Sequence, residues 1–266
     1  MSLDLVPMRV GFCRAPALAS RRDAGLMPME FPAGAALIRH PDQGDILFDT
    51  GYGVAFWQST RCFPEMLYRA TTPAVLPVTE ELCSQIDVPP ALVILSHLHA
   101  DHVAGLFDLP VMAPVLTSRA AWVAMAKGGP IATLRRGCPE LLRRRLLKLS
   151  PRFIEDSATV PTPAGFGALA GPFYDIMGDG SLLAVPLPGH GDGQFGVFIP
   201  ASRDFLIADA AWSRAALRDN MPPPWLVLAQ LGDADEYMHT FNALRTIMAA
   251  RPDVRMWPSH CTEAFG

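Results

Sequence analysis

Short apolar runs separated by turns rich in glycine and proline make up most of the chain, and they predict a succession of β-strands. Two of these runs are joined by Pro41-Asp42-Gln43-Gly44, whose residue types favour a tight turn and therefore a hairpin. The runs expected to form strands are 6–13, 35–40, 45–48, 91–95, 114–116, 182–187, 195–199, 204–208 and 254–257.

Helices are expected where apolar residues recur at every third or fourth position behind a capping side chain. The longest begins after Asp233 and carries Tyr237, Phe241, Leu244 and Met248 at that spacing. Shorter helices are expected at 79–86, 118–125 and 139–149. The chain therefore mixes strands and helices, and its 266 residues allow one large domain or two small ones.

Two segments lack a clear period. The aromatic-rich stretch from Phe56 to Tyr68 is broken by Pro64 and is too irregular for a single helix, so it can pack in the core or line a pocket. The segment 157–180 is rich in proline, glycine and alanine and is expected to be a surface excursion. We therefore expect one domain over 1–266 with an excursion at about 130–180.

The composition is that of a globular protein of low charge: 50% of residues are hydrophobic, 18% are charged and the formal net charge is −4. This balance argues against a nucleic-acid partner, and no apolar segment is long enough to span a bilayer. Five scattered cysteines favour reduced thiols. A cytoplasmic protein is expected because no signal peptide is evident, and the apolar surplus is compatible with a homodimer.

The densest cluster of candidate ligands follows the strand expected at 91–95. Because side chains alternate along an extended segment, His97, His99 and Asp101 can point the same way. His102 begins what the pattern predicts to be a helix, so its side chain can approach from another direction. Three imidazoles and a carboxylate within six positions indicate a metal site rather than core packing.

Later strand ends carry the remaining candidate ligands, His190, Asp209 and His260. Of the seven histidines, only His40 and His239 lie away from these strand ends, and both are interpreted as structural. Asp49 ends the strand expected at 45–48. Its carboxylate can stabilise the turn that follows or orient a ligand of the metal site.

The sequence His97-Leu98-His99-Ala100-Asp101-His102, followed by Val-Ala-Gly, resembles the HxHxDH signature of the metallo-β-lactamase superfamily. Other motifs resemble that family in the same order: Phe-Asp-Thr-Gly at 48–51, Pro-Gly-His-x-x-Gly at 188–193, the strand-end Asp209 and Pro-Ser-His at 258–260. The resemblance covers 6–260. It implies an α/β fold, the four-layer αβ/βα sandwich, with two similar halves and metals at one edge.

The resemblance also implies a division of ligands between two divalent metal ions. His97, His99 and His190 would hold the first, Asp101, His102 and His260 the second, and Asp209 would bridge them. An all-nitrogen and oxygen set favours zinc, with manganese and iron as alternatives. Asp101 and Asp209 are the expected catalytic carboxylates. Cys261 is a neighbour of His260 on a strand and should point away from the metals.

Within the superfamily the chain most resembles N-acyl-homoserine lactonases, which implies a metal-bridging hydroxide that attacks a lactone or ester carbonyl. Those lactonases carry a tyrosine three residues beyond the bridging aspartate, where this chain has Trp212. Trp212, Phe56 and Phe107 are expected to line the pocket of a small-molecule substrate. A thioesterase, a phosphodiesterase and a non-catalytic metal-binding sensor are the alternatives.

Overall fold

The computed structural model describes residues 3–266, apart from the side chain of Leu231, and contains two β-sheets. Residues 1 and 2 of the expected domain lie outside the described part. The first sheet has seven strands in the order β4-β1-β2-β3-β5-β6-β7. Its strands are β1 (Asp4–Pro16), β2 (Pro28–His40), β3 (Gly44–Phe48), β4 (Ala74–Val75), β5 (Leu92–Ile94), β6 (Val115–Thr117) and β7 (Arg152–Phe153).

The second sheet has six strands in the order β13-β12-β11-β10-β9-β8. Its strands are β8 (Ala158–Val160), β9 (Phe173–Asp175), β10 (Leu183–Pro186), β11 (Phe195–Ile199), β12 (Asp204–Ala208) and β13 (Arg255–Pro258). The helices are α1 (Val54–Ser59), α2 (Met66–Thr71), α3 (Leu82–Gln85), α4 (Ala100–Val103), α5 (Arg119–Lys127), α6 (Pro130–Arg135), α7 (Glu140–Leu146), α8 (Arg214–Asp219), α9 (Trp225–Leu231), α10 (Ala234–Ala250) and α11 (Thr262–Phe265).

Alternation along the central strands separates three hydrophobic clusters, and these clusters define the layers. In β2, Ala36 and Ile38 pack between the sheets, whereas Ala35 and Leu37 pack under the helices on the opposite face. In the second sheet, Leu206 faces the space between the sheets and Ile207 faces α10. The two-residue period of a strand therefore builds a helix, sheet, sheet, helix sandwich, as the resemblance implied.

Most of the expected strands and the long helix are confirmed. The turn at 41–44 joins β2 to β3 with His40 paired to Gly44. The side chain of Asp233 caps α10 by accepting hydrogen bonds from the backbone N–H groups of Asp235 and Glu236. The helix expected at 79–86 is shorter than predicted, since a 3-10 turn at 78–80 precedes α3.

The segment 157–180 is more than a surface excursion, and that expectation is wrong in part. Strands β8 and β9 pair antiparallel with each other, and β9 pairs with β10, so the segment extends the second sheet. Phe166 and Phe173 are fully buried within the cluster under α10. This segment is otherwise rich in proline and glycine. Its anchoring apolar side chains are spaced too far apart to show a period in the sequence.

Parallel pairing brings the important strand ends to one edge. β3 runs parallel to β5, with Phe48 paired to Ile94, so Asp49 and the histidine segment emerge side by side. In the second sheet β12 runs parallel to β13, with Ala208 beside Pro258, which brings Asp209 close to His260. No helix in the described residues 3–266 is long and apolar enough to cross a membrane.

The buried phenylalanines of the 157–180 segment should contribute to global stability. We expect Phe173→Ala to lower the free energy of unfolding by about 3–5 kcal/mol, because truncation leaves a cavity in the core. Urea denaturation followed by far-UV circular dichroism measures the change. Leu226→Ala, at a side chain that is 76% exposed, is the control and should change stability by less than about 0.5 kcal/mol. Equal losses for the two variants would contradict the core assignment.

Candidate metal centre

The histidine segment is held by close packing against the end of β3. The backbone N–H and the hydroxyl of Thr50 both donate to the carbonyl of His102, each over 2.8 Å. Gly105 lies directly under Thr50, where an added Cβ would come within 2.1 Å of the Thr50 carbonyl oxygen. Glycine is therefore required at this position, and the contact fixes the 3-10 turn that directly follows the helical turn carrying His102.

One group of imidazoles combines His97 and His99, which follow β5, with His190, which follows β10. Their candidate ligand atoms all lie within 4.8 Å of one another. His99 Nδ1 and His190 Nε2 are 3.1 Å apart, and the ring centroids of His97 and His99 are separated by 4.4 Å. This arrangement offers three nitrogen ligands to one cation.

A second group combines Asp101, His102 and His260. An oxygen of Asp101 lies 3.9 Å from His102 Nε2 and 3.6 Å from His260 Nε2. Asp101 is partly buried, whereas His102 and His260 are buried. The group provides a carboxylate and two imidazoles for a second cation.

Asp209 lies between the two groups and is 1% exposed. Its Oδ1 is 3.4 Å from His102 Nε2, whereas its Oδ2 is 2.9 Å from His260 Nε2 and 3.2 Å from His190 Nε2. One carboxylate thus faces nitrogen atoms from both groups, as a bridging ligand requires.

Three of these ligand atoms are buried without a hydrogen-bond partner among residues 3–266: His97 Nε2, His102 Nε2 and Asp209 Oδ1. Unsatisfied polar atoms are costly in a protein interior, and three in one place require an explanation. Imidazole nitrogens and carboxylate oxygens are ligands for divalent transition metals. The donor set therefore fits metal ions, and the division of ligands between two of them stays a prediction.

Neighbouring groups orient the imidazoles toward this centre. Asp49 is fully buried: its Oδ1 accepts from the Ser96 backbone N–H over 2.8 Å, and its Oδ2 lies 2.9 Å from His102 Nδ1. His260 Nδ1 lies 2.7 Å from the Pro32 carbonyl, which directs Nε2 toward Asp209. Such partners fix the tautomer and orientation of a ligating histidine. The interpretation of Asp49 as an orienting carboxylate agrees with these contacts.

Burial and mutual proximity set the charge of the groups. Burial and the neighbouring imidazoles hold the pKa of both His97 and His99 well below the usual value, which keeps the rings neutral. Burial alone would raise the pKa of Asp209, but His260, His102 and His190 outweigh it and hold that pKa well below the usual range. Burial would lower the pKa of His102 and His260, but Asp209 and Asp101 outweigh it and raise the pKa of both rings. A cation at the second group must therefore displace protons from these two imidazoles, whereas His97 and His99 are already neutral.

Gly137 supports His99 from the side of α6. Its φ is +69°, and an added Cβ would lie 2.9 Å from His99 Cδ2. The carbonyl of Gly137 accepts a hydrogen bond from the Ala100 N–H over 2.9 Å. A loop that is distant in sequence therefore abuts a candidate ligand, and no pattern near the histidine segment indicates it.

The three aromatic residues expected to line a pocket have different positions. Trp212 lies beside the centre, with ring centroids 5.4 Å from His260 and 6.1 Å from His190. Phe56 is fully buried in the core against Tyr52, so its predicted role in a pocket finds no support. Phe107 is partly buried, and its ring lies under the guanidinium of Arg145.

A cavity of about 420 Å³ opens beside His99 and His190. Its apolar wall consists of Leu98, Ala121, Met125 and Cys138. The charged residues that line it are Arg136, Asp192, Asp233 and Glu236. Sequence reasoning missed their place in a cavity because they lie on segments far apart in the chain; Asp233 is predicted only as a helix cap, and Asp192 falls at a variable position of the Pro-Gly-His-x-x-Gly motif.

The other candidates have structural contacts. Cys261 Sγ accepts from the Arg214 backbone N–H over 3.4 Å. His40 is buried and contacts Asp179 in the turn between β9 and β10, whereas His239 is exposed on α10. Three consecutive arginines on α7, at 143–145, form a basic run that pairs largely within the protein, since Arg144 bonds Glu140 and Arg145 bonds Gln58.

A sandwich of this layering, with imidazoles and carboxylates gathered at one edge, defines a class of metal-dependent enzymes. The family model of the metallo-beta-lactamase superfamily matches residues 30–260, and the chain belongs to that superfamily. A comparison with curated protein sequences finds no significant match.

Solved structures share the whole fold at low sequence identity. An N-acyl homoserine lactone hydrolase with the product N-hexanoyl-L-homoserine at its catalytic metal centre is 17% identical, with a TM-score of 0.71 over 99% of this chain and 95% of that one. AidC, a dizinc quorum-quenching lactonase, is 14% identical, with a TM-score of 0.64 over 98% and 88% of the two chains. A B. thuringiensis AiiA variant with N-decanoyl-L-homoserine at its active site is 17% identical, with a TM-score of 0.71 over 99% and 95%.

Asp49 should tune the metal affinity through His102. We expect Asp49→Asn to weaken zinc binding about 10–100-fold, because an amide cannot accept from all the donors that surround this carboxylate. Competition with a chromophoric chelator measures the affinity. Asp179→Asn is the matched control, since it alters another carboxylate that contacts a histidine, His40. Unchanged affinity in Asp49→Asn would contradict the orienting role.

Proposed function

We propose that the protein is a binuclear metal-dependent hydrolase that opens a lactone or cleaves a related carboxylic ester. The observation that carries this proposal is the position of Asp209, whose two oxygens face imidazoles of both ligand groups at 2.9–3.4 Å. A single buried carboxylate shared by two sets of ligands supports two cations close together rather than one.

His97, His99 and His190 would hold one cation, Asp101, His102 and His260 the other, with Asp209 between them. Zinc is the preferred ion for this donor set. When bound, the two ions would polarise a carbonyl group and make a nucleophilic water available at neutral pH.

The chain's own groups then position the substrate and move protons. Asp101 is the more exposed of the two site carboxylates, at 13% against 1% for Asp209. We propose that its outer oxygen accepts a proton from the attacking water and returns it to the leaving alkoxide. Asp209 is buried and held ionised, and it holds the imidazoles of both groups in position.

Trp212 contributes a hydrogen-bond donor and an apolar face. Its Nε1 is buried and has no hydrogen-bond partner within residues 3–266. An indole N–H can donate to a carbonyl oxygen but cannot deliver a proton. We propose that it orients the substrate, whereas the proton of the leaving group comes from Asp101.

The cavity beside His99 and His190 supports a neutral small-molecule substrate. Its volume of about 420 Å³ is in the range of ligand pockets, and one wall is apolar. Asp192, Asp233 and Glu236 outnumber Arg136 among the lining charges, and the single cation already pairs with Asp192 over 3.0 Å. This balance disfavours phosphate esters. The likeness to N-acyl homoserine lactone hydrolases further supports a lactone.

A hydrolysis panel on zinc-loaded protein tests the proposal. We expect turnover of N-acyl homoserine lactones and of simple lactones, with little cleavage of bis-aryl phosphates or thioesters. Phosphodiester or thioester cleavage without lactone turnover would overturn the substrate class. The metal content, measured by inductively coupled plasma mass spectrometry, should approach about two ions per chain in the wild type and fall in Asp209→Ala. A full metal complement in that variant would contradict the bridging role.

The contribution of the Trp212 N–H donor to activity can be measured separately from that of the apolar indole surface. We expect Trp212→Phe to lower kcat/KM for a lactone about tenfold through the lost hydrogen bond, whereas Trp212→Tyr keeps a donor and most of the activity. Metal content must stay equal in the three proteins. Full activity in Trp212→Phe would show that the residue serves only as an apolar wall.

A further inference from the structure

Two loops each place a glycine against an imidazole of the first ligand group: the Gly137 loop (136–138) and the Gly191 loop (189–193). An added Cβ at Gly137 would lie 2.9 Å from His99 Cδ2, and an added Cβ at Gly191 would lie 2.9 Å from His97 Cδ2. Contacts this close leave the rings no room to turn toward the loops. The orientations of the two imidazoles therefore depend on where the loops lie.

The two loops are attached to different helices. The N–H of Gly137 donates to the Leu134 carbonyl of α6 over 3.0 Å. The Gly191 loop packs on α10, since an added Cβ at Gly189 would lie 2.2 Å from the Tyr237 nitrogen. Within residues 3–266 no backbone hydrogen bond joins one loop to the other. The distance between the loops is therefore left to their side chains.

An ion pair between direct neighbours of the two glycines joins the loops. Arg136 Nε lies 3.0 Å from Asp192 Oδ2, and the two side chains are 49% and 44% exposed. Both residues line the first cavity, so the pair lies at its rim. Arg136 Nη1 also donates to the Ala124 carbonyl of α5 over 3.3 Å, which holds the guanidinium in place.

We propose that the ion pair of Arg136 and Asp192 positions the imidazoles of the first ligand group, so that both residues are positioning residues for metal binding. The inference rests on the proposed function, in which one cation binds His97, His99 and His190. Attraction across the rim keeps both glycines against their rings. A cation that meets rings already in place loses less free energy to ordering them.

Positioning differs from a simple contribution to stability in what the loss of the pair changes. An exposed ion pair adds little to the free energy of unfolding, and salt screens it. A pair that positions ligands should nevertheless affect the affinity for metal, because groups outside the ligand set orient the ligands. Weaker metal binding in a metal-free protein of unchanged stability is therefore the expected signature.

Neutralising one partner tests the proposal. We expect Arg136→Gln to weaken zinc binding about fivefold, measured by competition with a chromophoric chelator. The ratio of wild-type to variant affinity should fall toward one at about 1 M salt, because salt screens the pair in the wild type. The urea midpoint of the metal-free protein should be unchanged.

Arg203→Gln is the matched control. Arg203 pairs with Asp253, and these side chains are 60% and 34% exposed. Arg203 precedes β12, whose opposite end leads to Asp209. Its substitution should change neither zinc affinity nor the dependence of that affinity on salt.

Reversal of both charges separates the ion pair from the other contacts of Arg136. Arg136→Asp alone should weaken zinc binding more than Arg136→Gln, because two carboxylates then face each other across the rim. Arg136→Asp combined with Asp192→Arg should recover most of the affinity. The visible absorption of bound cobalt(II), which depends on ligand geometry, should change and recover in the same order. No recovery in the double variant, or a ratio that salt does not alter, would overturn the proposal.

These measurements need bound metal but no substrate, so they separate this proposal from the proposed function. A wild type that binds zinc and hydrolyses no lactone contradicts the proposed function and leaves the positioning role to be decided by the variants. Equal zinc affinity in the wild type and Arg136→Gln at low salt contradicts the positioning role, whatever the substrate. If the wild type binds no zinc, both proposals fail.

Discussion

The buried carboxylate of Asp209 is the group on which the arrangement of the site depends. An ionised carboxylate in an apolar interior is strongly destabilising unless opposite charge or hydrogen-bond donors surround it. Here the compensation comes from His102 after the first sheet and from His190 and His260 after the second. The charge of Asp209 can therefore be buried only at the edge where the two sheets meet, because the compensating imidazoles come from both sheets.

That requirement explains why the site includes so many groups that have no part in the chemistry. Asp49 directs His102, and the carbonyl of Pro32 directs His260. Thr50 and Gly105 bring the end of β3 against the helical turn of the histidine segment. The centre is preorganised because each of these contacts ties the site to a strand or to the segment that directly follows one.

The sequence alone predicts those parts of the site that depend on residues close together in the chain. The candidate ligands sit at strand ends next to marked turns, so spacing and residue type identify His97 through His102 without any knowledge of tertiary contacts. The cavity walls could not be predicted in the same way, because Met125, Arg136 and Glu236 come together only through packing of separate helices. The same limit applies to Phe166 and Phe173, whose burial follows from β8 and β9 joining the second sheet. The sequence predicts that Phe56 lines a pocket, but its ring is fully buried in the core and packs against Tyr52.

The position of Gly137 links the first cavity to the candidate metal centre. The segment 136–138 provides Arg136 and Cys138 to the wall of the first cavity, while Gly137 contacts His99 and hydrogen-bonds the backbone of Ala100. A molecule that displaces this segment must also shift a candidate metal ligand. If occupancy of the cavity changes the affinity for metal by some factor, thermodynamic linkage requires bound metal to change the affinity for the occupant by the same factor. The segment 136–138 is therefore the part of the backbone through which occupancy of the cavity and occupancy of the metal centre would affect each other.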